Sequence, residues 1–211
     1  MSDRQSNMII INYGIGNLTS VQNMLKKSGA TNVLISNRED DIIHADKLIL
    51  PGVGHFDYGM NQLKESGLVP ILEKKVHQQK TPILGICLGA QLMTNSSDEG
   101  SVPGLGWVEG KTVSFDQSLL EKGYKIPHMG WNTVKVINEN PLSHGMTLDS
   151  RFYFVHSYHM TMNQREDVWL TSHYGYDFCA GFHRDNIYAC QFHPEKSHRF
   201  GMNLMRNFVN L

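Results

Sequence analysis

Cys87 stands between two glycines in Gly85-Ile86-Cys87-Leu88-Gly89, directly after the apolar run Pro82-Ile83-Leu84 and before a segment that favours helix. A thiol in that setting can act as a nucleophile, because a strand that turns sharply into a helix lifts the residue on the turn clear of the sheet. The glycines fit: side chains at 85 and 89 would collide where strand and helix nearly touch. The first turn of the helix offers unpaired N–H groups and a positive dipole end, which favour the charged form of a nearby thiol. The competing reading is a buried structural cysteine at a strand end, since free cysteine packs as a small hydrophobe. On the pattern alone the two stand level.

A cysteine nucleophile requires a base, a group that orients the base, and donors for an oxyanion. Among eleven histidines, His193 has the most telling context, Gln191-Phe192-His193-Pro194-Glu195. Pro194 cannot continue a central ladder, so the strand is expected to stop there and leave the imidazole at the sheet's edge. Residues two apart in extended chain point the same way, so Glu195 can share a face with His193 and hold its tautomer. The backbone N–H of Leu88 is presented by the turn itself as one oxyanion donor. Pro51-Gly52-Val53-Gly54 has the freedom to turn the Val53 amide toward Cys87 as the second.

Other groups invite chemistry less strongly. His156 and His159 have no carboxylate or further cysteine at ligand spacing, so they read as satisfied or exposed side chains and not as metal ligands. Gly14-x-Gly16 lacks the third glycine of a dinucleotide fingerprint, Thr19 standing in its place, although Glu39 or Asp40 lies at the spacing of the ribose-binding acid. It reads as a structural or partner-facing turn. Trp131, following Pro127-His128-Met129-Gly130, suits either the core or a protein interface.

These side chains need strand ends to hold them. Residues 8–12, 33–35, 47–50 and 82–86 form short apolar runs, separated by a helical pattern from Leu18 to a stop at Gly29 and by a helical region over about 58–79, broken near Gly67 and Pro70. Continuous apolar strands alternating with helices predict a mainly parallel sheet covered on both faces. After a loop at 100–110, runs at 111–115, 132–136, 152–155, 168–172, 178–182 and 187–192 read as strands without long helices between them. They predict antiparallel strands that extend the same sheet, and Phe200, Leu204, Met205 and Phe208 predict a closing amphipathic helix. The fold class is therefore single-domain α/β with a mixed, mainly parallel central sheet, residues 1–211 forming one domain.

A formal net charge of -1 with interspersed signs gives no electrostatic case for nucleic acid or an anionic membrane, so a small molecule or a protein is the expected partner. Cys87, Cys179 and Cys190 form no CxxC pair, and their odd number argues against a disulfide framework, pointing to a reducing cytoplasm. The apolar run at 8–11 is too short for a signal peptide or a membrane span.

PGVG at 51–54, GICLGAQ at 85–91 and QFHPEKS at 191–197 together resemble, in that order, a class I glutamine amidotransferase domain. YGIGN at 13–17, PHMGWN at 127–132 and YFVHSYH at 153–159 bring the resemblance close to the glutaminase subunits of imidazole glycerol phosphate synthase, of histidine biosynthesis, over almost the whole chain. It implies that Cys87 attacks the carboxamide of glutamine to give a thioester, that His193 protonates the departing ammonia and then activates water, and that Glu195 orients His193. Val53 and Leu88 would hold the oxyanion through their amides, and Gly52, Gln91, Glu99, Ser157 and Tyr158 would bind glutamine. It further implies no cofactor or metal, and a heterodimer in which ammonia passes through a channel to a (β/α)8-barrel cyclase subunit. Asn17, Met129, Trp131, Tyr153 and Lys196 would face that partner. Two stretches depart from the pattern near that face: His198-Arg199-Phe200-Gly201 replaces a loop with an early small residue, and Ala189-Cys190 replaces a small-residue pair. Similar subunits also supply sugar amidotransferases of surface polysaccharide synthesis, which is the alternative acceptor.

Overall fold

The structure, a computed structural model, describes residues 6–211. In the first half each apolar run becomes a strand that feeds a helix. β1 (Asn7–Ile11) leads to α1 (Leu18–Lys27), β2 (Asn32–Ser36) to α2 (Glu39–Ile43), and β3 (Lys47–Gly52) to α3 (Phe56–Glu65) and α4 (Val69–Glu73), which runs on into a π-helical turn at Lys74–Gln78. β4 (Ile83–Cys87) then enters α5 (Leu88–Leu92). Every residue of β3 and β4 is buried, as continuous apolar runs require.

The second half comprises β5 (Ser96–Ser97), β6 (Gly110–Ser114), α6 (Ser118–Glu121), β7 (His128–Thr133), β8 (Lys135–Val136), β9 (Arg151–His156), β10 (Tyr158–Met162), β11 (Val168–His173), β12 (Asp177–Arg184), β13 (Ile187–Cys190) and α7 (His198–Val209). The main sheet runs β2-β1-β3-β4-β13-β12-β10-β6-β5, with β11 and β8 paired beyond β12. β2, β1, β3, β4 and β13 are parallel, and the strands from β12 to β6 are antiparallel. The decisive pairing is β13 on β4, with Cys190 opposite Ile86. It lays the end of the last strand beside the Cys87 turn.

Alternation along β1 divides the core, Ile9 and Ile11 packing on one face of the sheet and Met8 and Ile10 on the other. α7 buries Leu204, Met205 and Phe208 on the second of these faces, next to Val21 and Leu25 of α1.

Two expectations are corrected, and two elements were not foreseen. The helical region over 58–79 divides at 66–68, where Gly67 has φ of 72°, whereas Pro70 lies in the first turn of α4, where a missing N–H costs nothing. The run at 152–155 and the start of that at 132–136 do not extend the main sheet: β7 and β9 pair with each other as a separate antiparallel ribbon, and only β8, at the end of the 132–136 run, joins the main sheet through β11. Phe152 of β9 stacks on Phe192 with ring centroids 4.0 Å apart, which fixes the ribbon over the end of β13. β10 was not anticipated, because Tyr-His-Met-Thr-Met carries no strong strand signal, and its pairing with β6 makes it a strand. α2 was likewise unforeseen, and it absorbs Glu39 and Asp40 into its first turn.

Candidate active site

Cys87 has φ of 53° and ψ of -112°, a conformation that non-glycine residues rarely adopt. Such strain costs about 1–3 kcal/mol and persists only where the surroundings impose it. Here they do. A Cβ on Gly85 would lie 2.8 Å from the Ala90 Cα, and one on Gly89 would overlap the Leu50 carbonyl, so strand and helix approach as closely as glycine allows. Gly52, paired with Cys87 across the sheet, is held as tightly: a Cβ there would lie 2.6 Å from the Tyr13 hydroxyl. That hydroxyl donates to the Pro51 carbonyl at 2.7 Å and braces the end of β3. α5 is only five residues long, so what reaches the sulfur is the first-turn amides and not a long helix dipole.

His193 follows β13, an interior strand, and its backbone bridges to Tyr153 of β9 through an N–H to carbonyl bond of 2.9 Å. The imidazole thus sits at the C-terminal end of a central strand, 2% exposed, and not at a sheet edge. Pro194 starts a 3-10 turn, Pro194–Lys196, so Glu195 is not in extended chain, yet the turn brings its carboxylate Oε1 to 2.8 Å from His193 Nδ1. Burial opposes charge on this imidazole, but the neighbouring Cys87 and Glu195 outweigh it, and the His193 pKa is raised to about 9. Its Nε2 is buried without a hydrogen-bond partner, as is Glu195 Oε2.

Cys87 and His193 open on one cleft of about 440 Å³, which Val53, Leu88, Gln91, Glu99, Ser157 and Tyr158 also line. Of the residues expected to bind glutamine, only Gly52 is not on its wall; it is packed beneath. Glu99 accepts the Phe56 N–H at 2.8 Å, which places a carboxylate over the start of α3. Gln91 is buried, and its Nε2 donates to the Tyr158 carbonyl and to Gln191 Oε1, each at 3.1 Å.

Gln191 was missed by sequence reasoning. It is fully buried, and its Nε2 donates toward the Cys87 sulfur at 3.8 Å. A signal existed, since Gln191 stands two residues before His193 in the strand-like run, and residues two apart in extended chain share a face. His156 and His159 are both buried, with ring nitrogens bonded to Tyr158 O at 2.8 Å and to the Tyr176 hydroxyl at 2.9 Å respectively. No group of three metal-ligating side chains occurs among the described residues.

Of the residues expected to face a partner, four gather on one surface. Met129 and Trp131 are 61% and 44% exposed, Trp131 lies edge-on to Tyr153, and the Lys196 ammonium sits 5.8 Å above the Tyr153 ring. His198 stacks on Trp131 with centroids 5.5 Å apart. Asn17 is also exposed, and its side chain caps α1 through the Ser20 N–H.

The family model for "Glutamine amidotransferase class-I" matches residues 9–211. Curated relatives include imidazole glycerol phosphate synthase subunit HisH 2 of Methanococcus maripaludis, 53% identical over 95% of this chain and 97% of the relative. The protein of the same name from Pseudomonas aeruginosa is 48% identical over 97% of this chain and 99% of its own. Among solved structures, PurLQS from Thermotoga maritima superposes with a TM-score of 0.74 at 16% identity, covering 98% of both chains, which speaks for the fold alone. A second, described as a glutamine amidotransferase, has a TM-score of 0.65 at 18% identity and covers 93% of this chain and 98% of its own. With a match over nearly its whole length and relatives at about half identity, this chain belongs to the class-I glutamine amidotransferase family.

Proposed function

We propose that residues 1–211 form one amidotransferase domain that serves as the glutaminase subunit of an imidazole glycerol phosphate synthase. The observation that carries the chemistry is the convergence of a strained cysteine and a carboxylate-held histidine on one cleft. The relatives' names carry the pathway.

In this mechanism the Cys87 thiolate attacks the carboxamide carbon of glutamine, and the developing oxyanion is held by the Val53 and Leu88 amides. The His193 imidazolium gives its proton to the leaving nitrogen, so ammonia departs and a γ-glutamyl thioester remains. Neutral His193 then takes a proton from water as it attacks the thioester, and collapse releases glutamate and the thiolate. Glu195 keeps the ring oriented, with Nδ1 bonded and Nε2 free for both transfers. Glu99 suits the α-ammonium of glutamine, and Gln91, Ser157 and Tyr158 complete the pocket. Ammonia passes to a cyclase subunit docked on the Met129, Trp131, Tyr153 and Lys196 surface, which builds imidazole glycerol phosphate and an aminoimidazole carboxamide ribonucleotide. Three free, buried thiols support a cytoplasmic setting, and no helix of the described residues is long and apolar enough to cross a membrane.

The test is reconstitution. The purified chain, mixed with a cyclase subunit and its phosphoribulosyl substrate, is expected to form imidazole glycerol phosphate from glutamine. Formation with ammonium salts but not with glutamine would overturn the pairing and point to another acceptor, such as an amidated sugar.

A further inference from the structure

We propose that His128 is a positioning residue for the glutamine pocket, acting through His156 on the Tyr158 carbonyl and the Gln91–Gln191 pair beside Cys87; this rests on the glutaminase reading above. His128 begins β7, the strand that carries exposed Met129 and Trp131. Its Nδ1 lies 3.0 Å from His156 Nε2, and its Nε2 lies 3.2 Å from Asn132 Nδ2. His156 Nδ1 is 2.8 Å from the Tyr158 carbonyl, which also accepts from Gln91, and Gln91 is bonded to Gln191, whose Nε2 reaches toward the sulfur. An unbroken hydrogen-bonded chain thus leads from β7 to the thiol.

Donor and acceptor accounting leaves one arrangement. A carbonyl oxygen only accepts, so His156 must carry its proton on Nδ1, and its Nε2 then offers a lone pair. His128 must therefore donate from Nδ1, and its Nε2 accepts the amide proton of Asn132. Both rings are neutral in this scheme, in keeping with burial pulling the His128 pKa down to about 4 and that of His156 well below its ordinary value. The ring of His128 is clasped between Phe154 and Tyr174, with centroids 4.9 and 4.1 Å away. Without the donor on His128, the His156 proton can move to Nε2. That tautomer sets a ring lone pair against the Tyr158 carbonyl, and the pocket wall loses its anchor.

His128→Phe separates packing from hydrogen bonding, since a phenyl ring can keep the stack while offering neither donor nor acceptor. In the complex with the cyclase, we expect the KM for glutamine to rise at least about fivefold. Labelling of Cys87 by a glutamine-derived chloroketone should slow to a similar degree, while labelling by iodoacetamide, which needs the thiol and not the pocket, stays within about twofold. His128→Asn, whose amide N–H can occupy the place of Nδ1, should bring KM back to within about twofold of the wild type. An unchanged KM in His128→Phe overturns the proposal, and so does equal slowing by both reagents, which would mean general disruption. Should His128→Phe fail to fold, Asn132→Leu removes the donor to Nε2 and is expected to raise KM about two- to threefold; no change would likewise overturn it. A wild-type thiol that takes iodoacetamide but refuses the chloroketone would instead sink the glutaminase reading, whatever the variants do.

Discussion

At the scale of single residues, the proposed chemistry rests on His193 and Glu195, a pair held out of water. Cys87→Ala should abolish glutamine-dependent synthesis in the reconstituted complex while synthesis from ammonium salts survives; loss of both would make Cys87 structural. Glu195→Gln leaves the ring in place but weakens its imidazolium and its tautomer, and turnover should fall by about a hundredfold or more in a steady-state assay. The pair also has a pH signature. Because the folded pKa of His193 is raised to about 9, the native state holds a proton that the unfolded chain releases at lower pH. Its contribution to stability is therefore complete below the ordinary histidine range and is lost as pH rises through about 9. Urea midpoints of the wild type should fall between neutral pH and pH about 9.5, and those of Glu195→Gln should fall less. Cys87, His193 and Glu195 were legible in the sequence as candidates, because glycine and proline constrain local geometry, but that Glu195 reaches His193 through a 3-10 turn and not along extended chain was not. His128 and Gln191 were not singled out, since what matters about them is a neighbour 28 or 104 residues away.

The elements impose the geometry through close approach. Gly89 lies against the Leu50 carbonyl, so Gly89→Ala must push α5 off β3 and take the Cys87 turn with it. A loss of about 4 kcal/mol or more is expected, visible as a collapse of Tm or of soluble yield. The β7–β9 ribbon is tied down differently, by aromatic packing. Removing the fully buried Phe152 ring, which stacks on Phe192, should cost about 3–5 kcal/mol in denaturant unfolding. The parallel strands were readable as apolar runs, because a strand covered on both faces tolerates nothing else. β10 and the separate ribbon were not, because half-covered antiparallel strands are defined by partners that no local pattern names.

At the scale of the whole molecule, the cleft and the proposed docking surface adjoin, with Tyr153 on one side and the His193 backbone bonded to it on the other. Trp131→Ala should weaken cyclase binding by about 2 kcal/mol, roughly thirtyfold in Kd by titration calorimetry, because exposed aromatics at the centre of an interface carry much of its energy. The same variant should leave labelling of Cys87 by iodoacetamide unaltered. By itself the sequence determined the candidates for the proposed chemistry: a thiol on a glycine-flanked turn, a histidine stopped by proline, and a nearby carboxylate, since each depends on residues adjacent along the chain. Only the tertiary structure decided that they meet. Cys87 and His193 are brought together by β13 returning to lie parallel to β4, a pairing across about a hundred residues that rests on long-range burial and backbone hydrogen bonding, which local sequence does not encode.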